Sequence, residues 1–198
     1  LDIGFRIRDA INVYYNTRGQ EDPTSNFQWE FILVDDDQTK NAWCMPGGKI
    51  AFYSGILPIA KNKDGIASIM GHEIAHAVAR HSAERASTAM LTDFGIMALE
   101  KFVLGQRLPQ ASGYVRQFGL DLPFNRKQES EADYLGIIFS SLAGYNIEES
   151  YKVWERMKEE VGSGPAEFWS THPSPDNRIK KLKEWIPIVS RQYPAISV

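Results

Sequence analysis

From Gly65 to Ala79 the chain carries no ionisable side chain except His72, Glu73 and His76. A stretch this apolar reads as a helix buried nearly all round, so the fold must wrap it with other elements. Two imidazoles four residues apart share one helical face, about one turn or ~6 Å apart along the axis. Burying those three groups unaided would be expensive. A metal ion held between the imidazoles removes that cost, and the carboxylate between them projects toward whatever the ion binds. His-Glu-x-x-His is the zinc-hydrolase signature, with the glutamate as general base. The chain has four histidines in all, so a chance match is rare.

At 198 residues and 43% hydrophobic, the chain is long enough for one domain with a sizeable core. Its net charge is −3, and its lysines and arginines are dispersed rather than gathered into a basic stripe. That excludes a nucleic-acid footprint. No apolar run reaches the roughly 18 residues of a transmembrane helix. The sequence starts at Leu1 in residues that already read as helix. The expectation is that a signal peptide, membrane anchor or further domain lies outside it. A single cysteine excludes an internal disulfide. Cys44 lies in a predicted strand and reads as a small buried hydrophobe.

Periodicity predicts an amphipathic helix over residues 1–17 and strands over 28–34, 41–45 and 49–53. Asp35, Asp36 and Asp37 read as a solvated hairpin loop rather than a cation site. Pro46-Gly47-Gly48 marks a tight turn. A short helical turn over 54–60 precedes the long helix, which Asp64 caps and which runs to about residue 85. Further helices are predicted over 91–104 and 128–143, and a capping box of Asn146 and Glu149 opens another that runs to about residue 161. Residues 105–126 and 162–173 read as irregular. Ser174 caps a final helix with Pro175 at its first position. The sum is α+β: one mostly helical domain with a small three-stranded meander. Residues 1–26 form an N-terminal helix and connection, and 27–198 the catalytic core.

A catalytic zinc needs a third protein ligand and an open position for water. His81 is five residues past His76, about 140° round the helix, so it reads as a surface or helix-end histidine. Glu129 and Asp133 are four apart and share a face, whereas Glu131 points elsewhere to solvent. The run Ala132, Leu135, Gly136, Ile137, Ile138, Phe139 makes that helix largely buried. Unpaired carboxylates there would be costly. Glu129 is therefore the candidate ligand, and Asp133 the acceptor for the free N–H of a ligating imidazole.

Three segments carry a family resemblance: residues 71–81 around His72-Glu73-Ile74-Ala75-His76, residues 122–133 ending in Glu129-Ser130-Glu131-Ala132-Asp133, and Thr171-His172-Pro173-Ser174 with Arg178-Ile179 beyond. They resemble the gluzincin metallopeptidases, the family containing the CAAX prenyl endopeptidase, HtpX, mitochondrial Oma and periplasmic BepA. The resemblance covers about residues 28–186 and takes the motifs in the family's order. It implies a zinc-dependent endopeptidase with one Zn²⁺ per chain, His72, His76 and Glu129 as ligands, and Glu73 as base. The membrane-spanning helices of HtpX and the prenyl protease have no counterpart here, which points to the BepA-like branch and a periplasmic or membrane-associated location.

Further roles follow from that resemblance. The oxyanion needs a donor, for which His172, Tyr134 and Arg178 are the candidates. His172 has two readings: it stabilises the oxyanion, or it closes the metal as a fourth ligand and leaves a latent, chaperone-like zinc module. The first is the expectation, because a fourth protein ligand blocks the open position. Asn41-Ala42-Trp43-Cys44 resembles the edge strand on which gluzincins lay an extended peptide, by β-augmentation. Trp43 reads equally well as a core aromatic. The partner implied is an unfolded or misassembled protein in extended conformation.

Overall fold

The computed structural model describes residues 2–85, 87, 122–161, 172 and 175–196. Its centre is α3, Lys63–Val78, preceded by α1 (Asp2–Asn16) and the short α2 (Leu57–Ala60), with α4 (Leu122–Leu142), α5 (Glu149–Val161) and α6 (Pro175–Gln192) following. As its composition requires, α3 is enclosed: every residue from Ile69 to Val78 is buried. It packs against α1, α2, α4, α5 and a strand of the sheet. Ile7 and Ile11 of α1, Ile74 of α3, Phe139 of α4, Met157 of α5 and Leu182 of α6 meet in one core.

The helices α3 and α4 approach each other closely. A Cβ on Gly71 would stand 2.7 Å from Ser140 Oγ and 2.9 Å from the Gly136 carbonyl oxygen. One on Gly136 would stand 2.9 Å from the backbone nitrogen of His72. Two facing glycines let the backbones touch, and Ser140 Oγ donates to the Ala67 carbonyl at the same crossing (3.2 Å). That contact sets His72 beside the turn of α4 that carries Glu129 and Asp133.

The sheet holds β1 (Glu30–Val34), β2 (Ala42–Met45) and β3 (Lys49–Tyr53) in the order β1-β3-β2. It is not the predicted meander. β2 and β3 form an antiparallel hairpin through Gly47 and Gly48, both at positive φ, but β1 pairs with β3 in parallel. The acidic triplet is accordingly no hairpin loop. Asp36 folds its carboxylate back onto the Gln38 and Thr39 amides and the Thr39 hydroxyl, and Asp37 accepts from Ser54 Oγ. This turn carries the chain past β3, so β2 becomes an edge strand. Among the described residues it pairs with β3 only, and it lies against α3.

Several helix boundaries differ from expectation. The cap of α3 is Asn62, whose side chain accepts from the Gly65 amide, while the Asp64 carboxylate accepts from the Asn146 amide. The long helix is broken: α3 ends at Val78, Arg80 adopts a φ of 57°, and helix resumes over 81–85. The capping box does not close either. Asn146 Oδ1 accepts from the Glu148 amide, and the Glu149 carboxylate instead holds Arg156 at 2.9 Å. α4 begins at Leu122, earlier than predicted. The helix expected over 91–104, Ser174, and most of the two irregular stretches lie outside the described residues. No helix among the described residues is long and apolar enough to cross a membrane.

Candidate metal centre

His72 and His76 project from one face of α3 toward α4. His72 Nε2 and His76 Nε2 are 3.2 Å apart. Glu129, from α4, places Oε1 3.2 Å from His76 Nε2 and Oε2 3.4 Å from His72 Nε2. His172, just before α6, brings Nδ1 to 2.9 Å from Glu129 Oε2 and 3.2 Å from His72 Nε2. Four donors placed tetrahedrally around an ion at about 2.0–2.1 Å stand about 3.4 Å apart. All four side chains are buried, and no other His/Cys/Asp/Glu group among the described residues could hold a metal ion in this way. Three imidazole nitrogens and one carboxylate oxygen form a borderline-soft set that suits zinc.

The same packing sets the charge of the centre. Burial works against the Glu129 carboxylate, yet hydrogen bonds from His172, His72 and His76 hold its pKa far below the usual carboxylate range. Burial pushes His76 down to about 3. Burial and Arg178 also oppose protonation of His72, but Asp133 and Glu129 outweigh them and raise it to about 9. Of these two adjacent imidazoles, His72 is the one that favours the extra proton and the positive charge, and His76 stays neutral.

Asp133 lies beside His72. Its Oδ1 lies 3.1 Å from His72 Nδ1, the nitrogen that points away from the cluster. Arg178 grips the same carboxylate through Nε and Nη2, both at 2.6 Å, and its Nη1 lies 2.8 Å from Glu129 Oε2. The guanidinium carbon sits 3.7 Å from the Trp154 ring centroid. Burial alone would raise the Asp133 pKa, but Arg178 brings it down to about 2. Arg178 is thus brought to the centre as the ionic partner of two carboxylates.

Glu73 is 4% exposed, and its Oε1 receives no hydrogen bond. His172 Nε2 is the near group, at 3.3 Å. Burial raises the Glu73 pKa, against the pull of His172 and His72. β2 runs alongside: Glu73 is close enough to Cys44 to help burial push that thiol well above its ordinary range. Ala42 is buried on this edge strand, Trp43 and Cys44 are half-buried on it, and Asn41 is half-buried just before it. Tyr134 is not brought to the cluster. It points off another side of α4 and packs its ring edge-on against Trp185, with centroids 5.2 Å apart.

His81 is the residue the sequence reading misplaced. It is no member of the metal group, but neither is it on the surface. It is 1% exposed, with Nδ1 2.8 Å from His76 Nδ1 and Nε2 3.4 Å from Glu131 Oε2. The break at Ala79 and Arg80 turns it inward. No glycine or proline marks that break, so the local sequence carries no signal for it.

The sequence profile of Peptidase family M48 matches residues 9–186. The chain is 43% identical over 166 residues to the mitochondrial metalloendopeptidase OMA1 of Schizosaccharomyces pombe, covering 82% of this chain and 48% of that one. It is 37% identical over 182 residues to the protein of the same name from Saccharomyces cerevisiae, covering 84% and 49%. To the beta-barrel assembly-enhancing protease of Escherichia coli it is 30% identical over 165 residues, covering 76% and 33%. Identity is higher to these two OMA1 proteins than to the assembly protease. The chain spans half or less of the length of each of these relatives. With the match to the profile running through both the helix that bears His72 and His76 and the one that bears Glu129, the chain belongs to Peptidase family M48.

Proposed function

We propose that the chain is a zinc-dependent endopeptidase that cleaves extended segments of unfolded or misassembled proteins, with His72, His76 and Glu129 holding the ion and Glu73 as base. One observation carries the reading: a buried carboxylate with an oxygen that accepts no hydrogen bond lies beside a buried group of imidazole nitrogens and a carboxylate that could hold a metal ion, and beside an edge strand. When bound, zinc supplies Lewis acidity to a peptide carbonyl and an acidified water with a pKa near ~7. Glu73 takes a proton from the attacking water and returns it to the departing amine nitrogen. Its raised pKa suits that exchange, because a base that must also act as acid works best near the operating pH. The outer edge of β2, unpaired among the described residues, pairs with the backbone of an extended substrate, which explains recognition without a demanding side-chain code.

His172 Nδ1 lies among the candidate ligand atoms, where the oxyanion role alone does not require it to be. This supports the second reading, a latent resting state closed by His172. Catalysis then begins when His172 leaves that position. Arg178 is committed to Asp133 and Glu129 and serves to hold them. For location, the relatives named mitochondrial widen the expected setting beyond bacteria, and we retain a membrane-associated compartment as the proposal.

Glu73→Gln tests the central assignment. It keeps the side chain's size and is not a ligand, so zinc content and fold should match wild type while casein cleavage falls about 10²–10⁴-fold. Cleavage at the wild-type rate would remove Glu73 as the base.

A further inference from the structure

The break after α3 has a consequence for the metal centre. Residues five apart on one helix lie about 140° apart around it. Had α3 continued, His81 would point away from His76. Instead the chain leaves the helix at Ala79, and Arg80 enters the left-handed region at a φ of 57°. A residue with a Cβ adopts that region at a cost, so the surroundings must favour the turn. What the turn achieves is one contact: His81 Nδ1 comes within 2.8 Å of His76 Nδ1. The buried Gln128 side chain donates to the His81 carbonyl (3.4 Å) and to Glu84 (2.9 Å), holding this segment against α4.

The proton pattern follows from the geometry. His76 Nε2 faces the cluster and must offer a lone pair to an ion, so His76 carries its proton on Nδ1. That N–H donates to His81 Nδ1. His81 then carries its own proton on Nε2, which faces the Glu131 carboxylate at 3.4 Å. The two candidate ligand imidazoles are supported differently: His72 by the carboxylate of Asp133, and His76 by a neutral imidazole backed by a half-exposed glutamate. Such outer partners fix the ring and the tautomer of a ligating histidine.

We infer that His81 is a positioning residue for the metal centre, accepting the His76 Nδ1–H so that His76 Nε2 stays aimed at the ion. The inference rests on the metal-binding reading given above. Its test is the Zn²⁺ dissociation constant, measured by competition with a chromophoric chelator for the full chain and its variants. His81→Leu keeps bulk but loses the acceptor, and should weaken Zn²⁺ binding about 10–100-fold. His81→Asn places an amide oxygen where Nδ1 stood, and should recover most of that loss although its contact with Glu131 is gone. In Co²⁺-substituted protein the visible absorption bands should shift in His81→Leu and return toward wild type in His81→Asn. A purely structural role would give no such rescue. Nitrogen-15 NMR of the Zn²⁺-loaded wild type reads the tautomers without any variant, and should find the His81 proton on Nε2. A His81 protonated on Nδ1, wild-type affinity in His81→Leu, or His81→Asn as weak as His81→Leu would each overturn the inference. If wild type itself does not bind Zn²⁺, the metal reading falls with it. If wild type binds and His81→Leu binds equally well, only the role of His81 is lost.

Discussion

Gly136 and His72 are in backbone contact: a Cβ on Gly136 would lie 2.9 Å from the His72 nitrogen and 3.1 Å from its Cα. The register of α4 against α3, and with it the meeting of Glu129 and Asp133 with the two histidines, depends on that missing side chain. Gly136→Ala should force the helices apart at a cost of about 1–3 kcal/mol. Zinc affinity should fall together with the thermal midpoint. Calorimetry with and without zinc checks it, and unchanged stability would show that the crossing has slack.

The cluster ties together α3, α4 and the segment before α6, which are distant in sequence. Zinc should therefore stabilise the folded chain, and chelation should lower its thermal midpoint. His72→Ala, His76→Ala and Glu129→Ala should each lose the ion. Elemental analysis decides this residue by residue, and full occupancy in Glu129→Ala would exclude that carboxylate.

Arg178 is 4% exposed and bonded twice to Asp133. Arg178→Met would leave the Asp133 charge buried without its partner, a loss of about 3–5 kcal/mol. Arg178→Lys should rescue little, because one ammonium cannot reproduce the two-point grip. Urea unfolding curves of the two variants make the comparison.

For His172 the direction of the effect is the result. If it closes the centre at rest, His172→Ala opens the fourth position and turnover of an unfolded substrate rises. If its work is at the oxyanion, kcat should drop about 10²–10³-fold with KM little changed. The position of its Nδ1 among the cluster atoms leads us to expect the rise. Steady-state kinetics on casein separates the two.

Much of the centre is legible in the sequence. His72, Glu73 and His76 sit on one turn of one helix, and Glu129 and Asp133 on one turn of another. Helical spacing is a local property, so faces can be read from residue numbers. The strand Lys49–Tyr53 was legible for a similar reason, bounded by a Gly-Gly turn and a serine. The pairing of strands was not. β1 joins β3 rather than β2 because the Asp36 turn, a set of side-chain to backbone bonds, carries the chain past its neighbour. Tyr134 and Arg178 looked equally available to the site. The packing of α4 against α6 turned one onto Trp185 and the other onto Asp133. His81 shows the limit most clearly. Spacing along a continuous helix points it outward, and it is buried on His76 because the helix breaks at residues with no breaker chemistry. Periodicity is written into neighbouring residues, whereas a break, a strand partner or a side chain's facing is settled by contacts between segments far apart in the chain.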